Sequence, residues 1–327
     1  MARKKKKEEI QTQEDKATQV TKVRGEYSGL ANSADPHWHF DIYSLLIGPQ
    51  ELYFGHEVQV NVNIVETVKI ATDSGEIEKC YISPTKRRGV ERRTLLWAPA
   101  KDTSKGPLLT DSLECGIPLT CMEDNCPICR IFGGLETGEK TFIGRYIHAG
   151  GVAIQPQLPE EKQRAMHPSQ MNNNPRENSP QPFKREYNEP GLLYSISNHA
   201  FSVTEKEFSA AAYAFINSLI RLGAGNPKGL WFYEESDFLD NTRQPLFVVD
   251  KYWVPKGRRP VVPPYIDKIK EAEGIFKTNA QIVNGGQVQN GVATAQYFTR
   301  YLGQKALEQL QEWADTFAKE YLDQAST

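Results

Sequence analysis

Residues 191–223, GLLYSISNHAFSVTEKEFSAAAYAFINSLIRLG, constrain the fold more than any other stretch of the chain. Aromatic and β-branched residues fill the first part, the composition of a strand. Thr204 then stands three residues before Glu207, the pattern of a capping box. Phe208, Ala211, Ala212, Phe215, Leu219 and Leu222 follow on one stripe, and Gly223 sits where a helix C′ glycine belongs. A striped helix fed directly by a strand must bury its apolar side on a sheet. In residues 51–70, Val58, Val60, Val62 and Ile64 alternate with polar residues, which predicts a long strand buried on one face. The segment TFIGRYIHAGGVAIQP predicts a further strand. Leu302, Leu307, Leu310, Trp313, Phe317 and Tyr321 predict a long helix over about 294–322, and a shorter one is expected near 265–276. No internal repeat and no linker divides the chain, so a single α+β domain with large insertions is expected over residues 23–327.

Charge excludes little by itself, because the net value is -2. No apolar run approaches the roughly 18 residues of a membrane span, and the basic N-terminus lacks an apolar export core. A cytoplasmic protein is the expectation. Residues 1–22, opening on Arg3 and four lysines, read as a disordered basic arm. Residues 159–190 are rich in Pro, Asn, Gln and charge and read as a mobile arm or thumb, with Lys184 and Arg185 near its end.

Four cysteines, Cys115, Cys121, Cys126 and Cys129, fall within fifteen residues as C-x5-C-x4-C-x2-C. In a reducing setting such clustering points to metal rather than disulfides. Four thiolates suit tetrahedral Zn2+ in a structural role, within an insertion over about 110–135. A three-cysteine site completed by His148 and a cluster without metal are the alternatives, and a catalytic thiol lacks any local signature. Cys80 reads as a core residue.

Two basic groups stand out. Residues 84–93, PTKRRGVERR, carry Lys86, Arg87, Arg88, Arg92 and Arg93 against Glu91 alone, and Gly89 marks the stretch as a loop. Lys256, Arg258 and Arg259 lie among prolines in another expected loop. In the segment ADPHWHFD an extended backbone would put His37, His39 and Asp41 on one face, although a metallohydrolase barrel would need repeated βα units that are missing; satisfied or surface histidines are the expectation. The turn RLGAGNPKGLW brings Gly223, Gly225, Gly229 and Lys228 together, without the spacing of a Walker loop.

The segments CPICRIFGG, GLLYSISNHAFSVTEKEF and LIRLGAGNPKG together resemble the RAMP superfamily, and within it the backbone subunits of type I-D CRISPR surveillance (Cascade) complexes. The resemblance runs over most of the chain from about Val23. It implies a ferredoxin-like, RNA-recognition-type antiparallel sheet core and a zinc-stabilised insertion at the four cysteines. It also implies a glycine-rich loop, matched by Gly223, Gly225 and Gly229. Lys228 follows a proline here, where the superfamily pattern is denser in Gly, Arg and Ser. A structural, non-enzymatic role is implied: coating crRNA in antiviral defence, in head-to-tail copies alongside other effector subunits, and presenting it to target DNA or RNA. Lys86, Arg87, Arg88, Arg92, Arg93, Lys184, Arg185, Lys228, Arg258 and Arg259 are the expected phosphate contacts. A metal-dependent endonuclease using Asp35, Asp41 or Asp73, and a zinc-stabilised protein-interaction module, are the rival readings.

Overall fold

The computed structural model describes residues 35–54, 57–59, 62–136, 140–164, 183–223, 229–235 and 243–322. The expected N-terminal arm, the middle of the 159–190 segment, Gly225 and Lys228 lie outside them. Its main sheet contains β1 (Trp38–Ile47), β2 (Thr67–Thr72), β3 (Gly75–Ile82), β4 (Tyr146–His148), β5 (Gly151–Ala153), β6 (Leu193–Val203) and β7 (Trp231–Phe232). Four more strands complete it: β8 (Phe247–Tyr252), β9 (Val288–Gln289), β10 (Val292–Ala295) and β11 (Phe298–Leu302). The helices are α1 (Pro84–Leu96), α2 (Leu109–Leu113), α3 (Pro127–Phe132), α4 (Glu205–Ser218), α5 (Ile269–Gln281) and α6 (Gly303–Tyr321). The strand order is β9-β10-β11-β8-β1-β6-β5-β3-β2, with β7 paired to β1 and β4 to β6.

Within this sheet β8-β1-β6-β5 is the ferredoxin-like core, with α1 between β1 and β5 and α4 between β6 and β8. Every pairing in the main sheet is antiparallel. Strand alternation gives the sheet two different faces. Phe40, Ile42 and Leu46 point to the helix side, where they join Phe208 and Phe215 of α4 and Trp313 and Phe317 of α6. Tyr43, Leu45, Leu193 and Val248 point the other way and are covered by Ile266 and Phe276. Among the described residues no helix is long and apolar enough to cross a membrane.

The capping box of α4 forms as expected: Thr204 Oγ1 accepts from the Glu207 N–H at 3.1 Å, and Glu207 accepts from the Thr204 N–H at 3.0 Å. Three expectations are corrected. Residues 51–70 do not make one long strand, because the chain folds back and sets Val58 opposite Asn63. A reversal inside the segment leaves the alternating period of its sequence unchanged. The last helix begins at Gly303, since the preceding apolar residues belong to β10 and β11.

The third correction concerns residues 84–93, which are helical. Pro84 stands at the helix start, where its fixed φ suits the first turn and its missing N–H costs nothing. An interior glycine costs a helix only about 1 kcal/mol relative to alanine. Burial of Thr94, Leu95 and Leu96 on α1 outweighs that.

Candidate nucleic-acid interface

Four strands bring side chains to one end of the sheet, on the side away from α4 and α6. The register places His39 opposite Tyr252, Asp41 opposite both His199 and Asp250, and Tyr252 opposite Phe298. Same-face alternation then lines up a row of rings across the strands. Phe201 stacks on His199 with centroids 6.0 Å apart, His199 on His39 at 5.9 Å, and His39 on Tyr252 at 5.4 Å. Beyond the strand ends Trp253 stacks on Tyr297 at 5.2 Å and touches Trp38 at 5.0 Å. Trp253 is 47% exposed and Tyr297 49%. Aromatic faces left open at a sheet end can stack bases, at roughly 1–3 kcal/mol per base.

Beneath the row lies a buried carboxylate. Asp41 is 4% exposed. His199 Nδ1 hydrogen-bonds its Oδ1, while the hydroxyls of Tyr43 and Tyr252 donate to Oδ2 at 2.7 and 3.2 Å. Burial alone would raise the Asp41 carboxyl, but the bonds from His199 and Tyr43 and the Arg259 charge hold it below the usual range. His39 is pushed down by burial and by His199. Neighbouring Asp250 is neutralised by fully buried Arg300, through bonds of 2.7 and 2.6 Å.

Cations border the same end. Arg258 and Arg259 are exposed, and the nearby Tyr43 and the Asp41 carboxylate raise the Arg259 guanidinium above its ordinary value. The Arg258 backbone is fixed by the Ile282 carbonyl and by Arg300. Lys251 lies over the Trp38 ring at 4.4 Å but faces the helix side, where it pairs with Glu205 of α4.

The remaining expected contacts are distributed elsewhere. Arg87 is 1% exposed, and its guanidinium donates to the carbonyls of Ala149 and Ser197 and to Asn198, beside Glu91. Its positive charge serves the interior and reaches no surface phosphate, which corrects the expectation drawn from the loop reading. Arg88 donates to the Phe132 carbonyl and Arg92 to that of Gly116, at 3.3 Å, so both pin the cysteine-rich insertion to α1. Lys86 and Arg93 are half-buried on the same helix. Lys184 and Arg185 occupy a strand, Phe183–Tyr187, that pairs with Glu160–Arg164 and with Val62–Ile64. Gly223 and Gly229 have φ of +89° and +66°, and a Cβ on Gly229 would meet Ile220 Cα at 2.7 Å. These two glycines are demanded by their own backbone conformation.

The four cysteines converge. Their sulfurs lie within 4.8 Å of one another, with Cys115 3.7 Å and Cys121 3.8 Å from Cys129. A Zn–S length of about 2.3 Å makes the edge of a sulfur tetrahedron about 3.8 Å, so the donor set fits zinc. Cys126 caps α3 with its sulfur, and Pro127 opens that helix. Hydrogen bonds from Cys126 and Cys129 pull the Cys115 thiol down to about 2, while the Cys115 neighbour foremost pushes Cys129 up to about 12. A dication would relieve that crowding by favouring thiolate at all four. His148 is committed elsewhere, with Nε2 3.0 Å from Glu91 Oε2. Asp35 and Asp73 are exposed in a bend and a turn. Among the described residues the cysteines are the one cluster of metal-ligating type.

Sequence reasoning missed His199, Phe201, Tyr252, Trp253 and Tyr297. His199 and Phe201 lie on a strand the sequence predicts, whereas Tyr252, Trp253 and Tyr297 lie on or beside strands it does not, and only the cross-strand register shows what stands opposite them.

No family model and no curated protein matches the sequence. Among solved structures the chain is similar to Csc2 of Thermofilum pendens, with 15% identity, a TM-score of 0.44, and coverage of 87% of this chain and 88% of that one. It is also similar to a chain of a type IV-B CRISPR complex, at 14% identity and TM-score 0.37, over 71% of this chain and 98% of the other. A chain of a CRISPR RNA-guided surveillance complex in a pre-nicking state gives 9% identity and TM-score 0.41, over 74% and 87%.

Proposed function

We propose that this chain is a guide-RNA-coating backbone subunit of a CRISPR surveillance complex, of the RAMP superfamily and type I-D. In this reading it holds crRNA without sequence preference, repeats head to tail along it, and presents it to target nucleic acid alongside other effector subunits. The observation that carries the reading is the cross-strand ring row Phe201–His199–His39–Tyr252, with a half-exposed Trp253–Tyr297 stack just past the strand ends and exposed Arg258 and Arg259 in the segment that follows β8. Rings that stack any base, flanked by cations that meet any phosphate, suit a strand whose sequence is arbitrary. Specificity then belongs to base pairing. The four cysteines hold a structural zinc in this account, and the 159–190 segment serves as an arm over the strand.

The endonuclease alternative is less well supported, because both Asp41 oxygens are occupied by His199, Tyr43 and Tyr252, and among the described residues neither Asp35 nor Asp73 belongs to a group that could hold a metal ion. The protein is therefore read as a non-enzyme. Purification of the untagged complex tests the role: RNA of defined length should copurify, seen as elevated absorbance at 260 nm. Nucleic-acid-free complex that also ignores added RNA would leave the protein-interaction reading in its place.

A further inference from the structure

The Asp41 carboxylate decides where His199 carries its proton. Burial pushes the Asp41 carboxyl up, but the bonds from His199 and Tyr43 hold it below the usual range, so it is ionised. An ionised carboxylate only accepts hydrogen bonds, and the His199 nitrogen that meets its Oδ1, Nδ1, is therefore the protonated one. In the neutral ring Nε2 is then an acceptor. That nitrogen has no bond among the described residues and is not sealed from solvent, since the side chain is 35% exposed. The tilt of the ring is fixed as well, nearly parallel to Phe201 and to His39 at interplanar angles of 16° and 7°. On the other flank of β6, β4 sets Ile147 directly opposite His199, and Ile147 is 53% exposed. Residues opposite each other in an antiparallel pair share a face. An oriented acceptor thus stands between a buried anion and an open apolar side chain.

A nucleic-acid strand offers such an acceptor few partners. Its phosphates accept and do not donate, and the donors on its bases change with the sequence. The ribose 2′-hydroxyl is the donor that every RNA nucleotide carries and every DNA nucleotide lacks. We propose that His199 Nε2 accepts a hydrogen bond from one ribose 2′-hydroxyl of a bound strand, with the C–H surface of the sugar against Ile147 and Asp41 as the positioning residue. The site rests on the RNA-binding reading and gives it a means of rejecting DNA that does not depend on base sequence. A deoxyribose in the same place would shield Nε2 from water and give it no donor, and an acceptor left unpaired on binding costs affinity. Asp41 acts through the tautomer and touches no sugar itself. Without its charge the proton would be free to move to Nε2 and turn the acceptor into a donor.

The test uses full-length protein, two unrelated single-stranded RNAs, and the same two sequences in 2′-fluoro form, which keeps the sugar pucker of RNA but has no 2′ donor. Wild-type protein should bind each RNA at least about fivefold more tightly than its 2′-fluoro counterpart, the effect of one ordinary hydrogen bond. His199→Asn can set an amide N–H where Nδ1 faces Asp41 and has no atom in the place of Nε2. Its preference for RNA should fall by that factor for both sequences, with binding of the 2′-fluoro strands unchanged. Nitrogen NMR of labelled histidine in the wild type is the second readout and needs no variant to fold. The His199 Nε2 should be unprotonated in the free protein, and its resonance should move further with RNA than with the 2′-fluoro strand. Asp41→Asn should mix the two tautomers and lower the preference for RNA. An Nε2 that carries the proton in the free protein, or an unchanged preference in folded His199→Asn, would overturn the site while leaving the RNA-binding reading intact. A preference lost for only one of the two sequences would overturn it too, since Nε2 would then be reading a base. Failure of the wild type to bind either RNA would overturn the RNA-binding reading, and the site with it.

Discussion

His148 Nε2 lies 3.0 Å from Glu91 Oε2, under the cysteine-rich insertion, with both side chains nearly sealed from solvent. Around this pair Arg87 reaches Asn198, and the Asn198 amide donates to Glu91 at 3.2 Å and to the Tyr146 hydroxyl. The network joins α1 to β4 and β6, so the polar residues of a basic-looking stretch act as internal fasteners.

Removing one member should therefore unfold before it unbinds. Arg87→Ala leaves Glu91 buried beside a single remaining histidine, and breaking such a pair costs on the order of 3–5 kcal/mol. Chemical denaturation should show that loss. Binding of RNA by whatever fraction stays folded should keep its salt slope, whereas Lys86→Ala, on a half-buried side chain, should leave stability within about 0.5 kcal/mol.

Acid should loosen the same network. Burial alone would raise the Glu91 carboxyl, yet His148, Arg87 and Asn198 hold it below its ordinary value; Arg145 and Arg130 do the same for half-buried Glu207. A carboxylate depressed in the folded state contributes stability above its unfolded value of about 4.3 and loses it as pH falls through the folded value. Asp250 opposes them, because burial raises it despite Arg300. Two depressed acids outnumber it, and depressed Asp41 adds to them. Melting temperature should decline gently below about 6.5, where His39, depressed in the folded state by burial, favours the unfolded chain, and fall more steeply below about 4.3. A melting temperature that rises on acidification through this range would contradict the assignment.

Metal content is the third expectation. Freshly purified protein should carry about one zinc per chain, and Cys126→Ser should lower zinc content and folding yield together. Glu207 of α4 bonds both Arg130, at 2.9 Å, and Arg145, so loss of the insertion's order would reach the main helix layer. Chelation should accordingly lower thermal stability. Metal-free protein with unchanged stability would remove zinc from the account.

Much of this architecture was legible before any coordinates. The Thr204–Glu207 box, the stripe of α4, and the four-cysteine cluster rest on local spacing, and local spacing survives folding. What escaped was non-local. Gly89 spoke for a loop on propensity alone, and the burial of Leu95 and Leu96 outweighed it. The cations of α1 looked like one phosphate grip, but a helix points its side chains in different directions, and Arg87 and Arg88 face partners more than forty residues away in sequence. His199 carried no motif. It became part of a site because the β1–β6 register sets it opposite Asp41, which no single strand records.

The central claim is that the ring row and its cations bind single-stranded RNA regardless of sequence. Affinity of full-length protein for two unrelated RNAs, measured over a salt series for the wild type and for Trp253→Ala, tests it most directly. The account predicts similar affinity for both RNAs, a steep salt dependence, and a loss of about 1–3 kcal/mol in the variant that is equal for the two sequences. Affinity untouched by Trp253→Ala, or confined to one RNA sequence, would contradict it.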